Sequence, residues 1–189
     1  MSRPLLSLLR VQNFPSALAD VWAGYFLHVA WGGALDLGDL GLLSLASVSL
    51  YGAGMALNDF VDFERDVKLH PRRPLPAGTL RQGDALLVTA VLLATAALAA
   101  MLVAAAPALV AVVLVVLVLA YDLGTKRHLW LGSLTMGLLR AGNLFLGLSA
   151  GLETMRPGAP LWLFPALVGM HVFLLTLLST YEEDAFAAG

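Results

Sequence analysis

Apolar residues in this chain come in blocks of roughly twenty, separated by short polar stretches, with no sustained two-residue alternation. Six blocks qualify as helices that can cross a hydrocarbon core ~30 Å thick: Phe14–Gly33, Leu40–Leu57, Ala85–Ala106, Pro107–Leu123, Leu129–Gly151 and Leu161–Thr180. The run from Ala85 to Ala120 holds 36 residues without one Asp, Glu, Lys, Arg or His. As a single helix it would be about 54 Å long, so it must fold back, and Ala104-Ala105-Ala106-Pro107 is where a break is expected. The first block has no short apolar core with a small-residue cleavage site, and it reads as a retained helix. The predicted fold class is an all-α polytopic transmembrane helix bundle of six spans, one domain over residues 1–189.

Composition fits this picture. Hydrophobic residues make up 59% and charged residues 13% of the 189 positions, against roughly a quarter charged in soluble domains. There is no cysteine, which excludes a disulfide, a thiolate metal site and a cysteine nucleophile. The net charge of −2 is uninformative, but its distribution is not. Of 11 Lys and Arg, nine lie before the first block (Arg3, Arg10), after the second (Arg65, Lys68, Arg72, Arg73, Arg81) or after the fourth (Lys126, Arg127). The positive-inside rule places those segments, the N-terminus and the C-terminal tail in the cytoplasm. The opposite side carries only Asp36, Asp39, Glu153 and Arg156. Polar chemistry therefore gathers at one membrane surface. There the longest polar stretch, Arg65 to Asp84, holds Pro71, Pro74, Pro76 and Gly78 and predicts an ordered, turn-rich cap. No P-loop or dinucleotide-binding glycine pattern follows a strand, and no nucleic-acid partner is expected.

The second block closes on Asn58-Asp59-Phe60-Val61-Asp62-Phe63-Glu64-Arg65-Asp66. Asn58, Asp62 and Asp66 are four apart, so on a helix their oxygens share a face. An acidic last turn opposes the helix dipole, and such a choice needs a functional reason or a set of neighbouring cations. Hard oxygen ligands suit Mg²⁺, which takes one or two carboxylates and completes its shell with phosphate oxygens. Lys68, Arg72 and Arg73 follow, able to hold the rest of a phosphate or simply to pair with the acids. The fourth block closes on Tyr121-Asp122-Leu123-Gly124-Thr125-Lys126-Arg127, whose two cations either grip a phosphate or only set topology. Arg140 sits midway along the fifth block, where a cation costs ~2.5–3.5 kcal/mol on insertion scales, so it must face the bundle interior. Asn143 lies on the same side of that helix, and Asp20 in the first block offers a partner. A structural pair and a substrate-facing pair remain equally open readings. His28 and His171 read as packing residues, and Gly52, Gly54, Gly137, Gly142 and Gly147 as positions of close helix contact. A weak echo of the first acidic group, Glu182-Glu183-Asp184, closes the sixth block.

These residues resemble the UbiA superfamily of intramembrane prenyltransferases. The resemblance rests on Asn58-Asp59-x-x-Asp62-x-x-x-Asp66, similar to the family's first aspartate-rich motif, on the Arg73-Pro74-Leu75-Pro76-Ala77-Gly78 loop and on the Tyr121 to Arg127 segment. It implies that Asn58, Asp62 and Asp66 hold Mg²⁺ and a prenyl diphosphate, with Asp62, Asp66 and Lys126 catalytic. Arg72, Arg73, Tyr121 and Arg127, and in the substrate-facing reading Arg140 and Asn143, would then complete the substrate contacts. The implied reaction is transfer of an isoprenyl group, an alkyl group other than methyl, to an aromatic or other lipophilic acceptor in the bilayer. The family has nine spans and a second aspartate-rich motif with carboxylates four apart. Here Glu182 is matched at that spacing by Phe186 and Glu183 by Ala187. The chain is thus expected to be a C-terminally incomplete UbiA-like domain, with a partner chain able to supply further helices. The Leu139 to Asn143 segment looks more like the EboC-like branch, which supports a second reading: a non-catalytic protein that binds or moves a hydrophobic metabolite. An ion-coupled transporter built on Asp20 and Arg140 would instead need acids lined through the bilayer midplane, whereas most lie at one surface.

Overall fold

A computed structural model describes residues 3–152 and 160–187, with side chains described as far as 179. Eight α-helices occur among them: α1 Arg3–Leu8, α2 Phe14–Ala30, α3 Leu37–Val61, α4 Phe63–Leu69, α5 Gln82–Val103, α6 Ala105–Leu123, α7 Leu129–Leu148 and α8 Leu163–Ala187. The six long helices coincide with the six predicted blocks. Four of these segments are long and apolar enough to cross a membrane on those criteria alone: α3, α5, α6 and α7 with the turn that extends it to Gly151. Helix α2 is shorter than predicted, 17 residues or about 25 Å, because the chain turns at Trp31 and at Gly32, whose φ of 109° suits glycine. Helix α3 is longer. Asp36 starts it by accepting from the amides of Gly38 and Asp39 at 2.7 and 3.1 Å, an N-cap ahead of the apolar run. The predicted fold-back between α5 and α6 needs a single extended residue, Ala104, and Pro107 sits in the first turn of α6, where its missing N–H is no loss.

Helices α2, α3, α5, α6 and α7 pack as neighbours in a bundle, and α8 lies against the outside of α7. The core joins Val21 and Tyr25 of α2, Leu43 and Leu50 of α3, Ala96 and Ala100 of α5, Leu114 of α6 and Leu146 of α7. Small residues bring the backbones close, since apolar side chains give helices no drive to associate in lipid. At the α2–α7 crossing a Cβ on Gly24 would fall on the Leu144 carbonyl, and one on Gly147 would fall on the Val21 carbonyl. Gly137 likewise faces the Gly169 carbonyl of α8, at 2.6 Å from an added Cβ. Gly54 differs from this expectation: a Cβ there would meet Val118 at an ordinary 3.7 Å, and the missing side chain opens space beside α6.

At the opposite end from the acidic motif, the Tyr25 hydroxyl donates to the Asp36 carbonyl at 2.8 Å and accepts from the Asp36 amide at 2.9 Å, which ties α2 to α3. At the near end, α1 lays Leu8 and Leu9 against Ala56, Leu75 and Ala85, a second small core under the polar cap. The cap is a succession of hydrogen-bonded turns. Pro74 is its anchor, its carbonyl accepting from the Thr79 hydroxyl at 3.0 Å and from the Thr79 and Leu80 amides, while Gly78 takes φ 71°.

Candidate active site

The acidic motif forms where α3 breaks. Helix α3 ends at Val61, Asp62 leaves the helical region at φ −90°, ψ 11°, and α4 begins at Phe63. The hydrogen-bond ladder nevertheless runs through the junction, Asp62 N–H donating to Asn58 O at 2.9 Å and Asp66 N–H to Asp62 O at 2.8 Å. Asn58, Asp62 and Asp66 therefore do stay on one side of the chain. Their side chains divide between two cations, Asn58 and Asp62 turning to Lys126 and Asp66 to Arg73.

The first set gathers on Lys126. Its Nζ donates to Asn58 Oδ1 at 3.0 Å and lies 3.0 Å from Asp62 Oδ1 and 3.5 Å from Asp122 Oδ1. Lys126 reaches in because α6 stops at Leu123 and a 3₁₀ turn, Thr125–Arg127, packs against buried Gly132, where an added Cβ would meet Thr125 O at 3.1 Å. In such a turn successive side chains diverge by about 120°. Lys126 faces the acids, and Arg127, the neighbouring cation, is left exposed.

The second set holds two carboxylates that are each 2% exposed, Asp59 and Asp66. Arg73 Nη1 donates to Asp66 Oδ2 at 2.6 Å and lies 3.6 Å from Asp59 Oδ1. Arg10, from the turn before α2, donates to the same Asp59 oxygen at 2.8 Å. Asp66 is thus held by an arginine and not aimed at the Asn58 and Asp62 oxygens. Arg72 is exposed and lines an open groove with Ser7, Leu69, His70 and Pro71. Sequence reasoning missed Asp122, although its i,i+4 spacing to Lys126 was a signal. It also missed the role of Arg10, for which no local signal exists.

Below the first set lies a cavity of about 140 Å³ between α2, α3, α6 and α7. Asn58, Tyr121 and Asp122 line its polar end, Leu50, Tyr51, Gly54, Met55, Val118, Met136 and Leu139 its walls, and Ser47, Leu114, Arg140 and Asn143 its far end. Ser47 and Asn58 stand eleven positions apart on α3, which sets a depth of about 16 Å. Arg140 and Asn143 reach the cavity, but both are already engaged. Arg140 Nη1 lies 2.9 Å from Asp20 Oδ2, Arg140 also donates to the Ser16 carbonyl at 3.3 Å, and the Asn143 amide donates to the Ala17 carbonyl at 2.8 Å. They form a structural bridge from α7 to α2 that also walls the cavity. His28 is buried against Tyr25, rings 5.5 Å apart, consistent with a packing role. The acids Glu182, Glu183 and Asp184 have side chains outside those described, as Glu153 and Arg156 lie outside the described residues.

Among the described residues no three His, Cys, Asp or Glu side chains converge on a metal position. Asn58 Oδ1 and Asp62 Oδ1 do converge on one point, that of the Lys126 ammonium. Two hard oxygens whose remaining partners are phosphate oxygens are the donor set Mg²⁺ accepts, so the residues fit that ion.

Fold and site together define a membrane-embedded helix bundle with an acid-and-cation cluster over a deep, mostly apolar cavity. Residues 17–189 match the UbiA prenyltransferase family, and the chain belongs to it. It is 28% identical over 181 residues to a digeranylgeranylglyceryl phosphate synthase from Methanothermobacter thermautotrophicus, covering 96% of this chain and 60% of that protein. It is 29% identical over 157 residues to a 4-hydroxybenzoate octaprenyltransferase from Neisseria meningitidis, covering 82% of this chain and 53% of the relative. Its fold is similar to that of a solved digeranylgeranylglyceryl phosphate synthase structure, with a TM-score of 0.74, 23% identity and coverage of 94% and 58% of the two chains. It is also similar to a UbiA homologue from Archaeoglobus fulgidus bound to DMAPP and Mg²⁺, with a TM-score of 0.67, 20% identity and coverage of 92% and 60%. The chain therefore spans between a half and two thirds of the length of these relatives.

Proposed function

We propose that this chain carries the diphosphate half-site of a Mg²⁺-dependent prenyltransferase, which moves an isoprenyl group from its diphosphate to a lipophilic or aromatic acceptor in the membrane, with the site at the cytoplasmic surface. The observation that carries the reading is the meeting of Asn58, Asp62 and Lys126 at the polar mouth of the apolar cavity. A prenyl diphosphate is charged at one end and hydrocarbon at the other, and this arrangement offers matching surfaces about 16 Å deep. Both named relatives make prenylated products, and a homologous fold binds DMAPP with Mg²⁺.

Breaking the allylic C–O bond leaves negative charge on the diphosphate. Lys126 and Arg73 stand where they can turn from their carboxylates to that leaving group, and cations aimed at developing charge lower the barrier in a dry site. Asn58 and Asp62 would hold Mg²⁺, whose contribution is Lewis-acid stabilisation of the departing oxygens. Tyr121 borders the same mouth, and the aliphatic walls exclude water from the allylic cation until the acceptor captures it.

The test is equilibrium binding of geranylgeranyl diphosphate to the detergent-purified chain with and without Mg²⁺. Wild type is expected to bind only with Mg²⁺, and Asp62→Ala to lose that binding while still inserting into membranes. Equal binding by Asp62→Ala, or none by wild type, rejects the assignment.

A further inference from the structure

We propose that Arg10 is a positioning residue whose work is to occupy Asp59, so that Arg73 stays free to leave its carboxylates for a diphosphate. The inference rests on the diphosphate reading above for its purpose, but on separate geometry for its substance. Arg10 lies before the family match, which begins at residue 17.

Asp59 and Asp66 are both buried, and two guanidinium groups serve them. Arg73 is committed to Asp66 at 2.6 Å and stands only 3.6 Å from Asp59. Arg10 fills the better place at Asp59, 2.8 Å away. A buried carboxylate deprived of its partner is strongly disfavoured, and it recruits the nearest cation. With Arg10 removed, that cation is Arg73. It would then be the one partner of two buried carboxylates and could not turn outward without stranding both. With Arg10 present, Arg73 gives up a 3.6 Å contact to Asp59 as it leaves, but Asp59 keeps its 2.8 Å partner and Asp66 alone is stranded.

The backbone supports a dedicated role. Arg10 takes φ 48°, ψ 49°, the one left-handed residue other than glycine among those described, a conformation that L side chains adopt only at a cost. Leu8 and Leu9, 0% and 6% exposed, fix the segment on Ala56 and Leu75, and from this left-handed turn the Arg10 side chain reaches Asp59. Arg10 Nη1 also donates toward Met55 Sδ at 3.3 Å, which holds the guanidinium against α3, one turn before Asn58.

The test compares wild type, Arg10→Gly, Asp59→Asn and the double variant Arg10→Gly/Asp59→Asn. Glycine accepts the left-handed backbone, so the first change removes the guanidinium without adding strain. Binding of geranylgeranyl diphosphate with Mg²⁺ is expected to weaken about tenfold in Arg10→Gly, roughly 1.4 kcal/mol, and to return to within about threefold of wild type in the double variant. A neutral amide at position 59 would have no charge with which to capture Arg73. Wild-type affinity in Arg10→Gly overturns the proposal. So does a double variant as weak as the single, because Arg10 would then be touching the diphosphate or merely holding the fold. Modification of Arg73 by phenylglyoxal, read by peptide mass spectrometry without any diphosphate, separates the two claims. It should slow several-fold in Arg10→Gly and recover in the double variant even if wild type binds no prenyl diphosphate, and an unchanged rate in the single variant overturns the proposal by itself.

Discussion

Single side chains at this site are held by opposite charges at close range, and their replacements should show it. Arg140 and Asp20 bridge α7 and α2 inside the bundle, with the arginine side chain 26% and the aspartate 12% exposed. Arg140→Met would leave Asp20 uncompensated and should cost about 3 kcal/mol, the lower end of the range for breaking a buried pair because some solvent access remains. Adding Asp20→Asn should recover most of that loss, measured as the unfolding midpoint in detergent. Equal loss in the single and double variants would mean that the guanidinium matters for its contacts with the Ser16 carbonyl, not for its charge. Lys126→Met should weaken Mg²⁺-dependent diphosphate binding about tenfold or more, since a charge-assisted hydrogen bond is worth ~1.5–3 kcal/mol. At this scale the sequence was readable where partners are four apart, as with Asn58 and Asp62. It was silent where they are 49 apart, as with Arg10 and Asp59, because that meeting depends on how α1 docks. Nor could it separate Lys126 from Arg127, adjacent cations of which one 3₁₀ turn sends a single one inward.

Helices here are positioned by what their crossings lack. The α2–α7 crossing brings carbonyls of one helix against glycines of the other, and it carries the Arg140–Asp20 bridge in the same interface. Gly147→Ala should therefore push the helices apart, lowering stability by about 1–3 kcal/mol as overpacking does. Because Ala17 and Asn143 border the cavity, the same change should also weaken prenyl diphosphate binding. Gly41→Ala in α3 is the control, since nothing lies within 4 Å of an added Cβ and alanine favours helix by up to ~1 kcal/mol. A Gly147→Ala protein as stable as wild type would show that this crossing has slack. The existence of each long helix was legible because bilayer thickness dictates the length of an apolar run. Its ends were not, because they are set by local chemistry: Asp36 starts α3 ahead of the apolar block, and Trp31-Gly32 stops α2 early.

For the molecule as a whole, the packing brings the ends that carry Arg10, Asn58, Asp66, Arg73 and Lys126 to one face of the bundle. The nine Lys and Arg that the sequence gathers in the segments at those ends then argue, by the positive-inside rule, for the cytoplasmic site proposed above. Orientation follows from positive charge and not from the acids, so the acidic motif does not weaken the argument. The chain has no cysteine, which makes it a clean background for single-cysteine mapping. Thr79, exposed on the cap, and Ala34, exposed in the loop between α2 and α3, lie at opposite ends of the bundle. In right-side-out vesicles a membrane-impermeant maleimide should modify Ala34→Cys and spare Thr79→Cys, and in inverted vesicles the pattern should reverse. If Thr79→Cys reacts from outside, the site opens to the other compartment. The diphosphate would then have to be supplied there, although the pairing of acids and cations proposed to bind it would be unchanged.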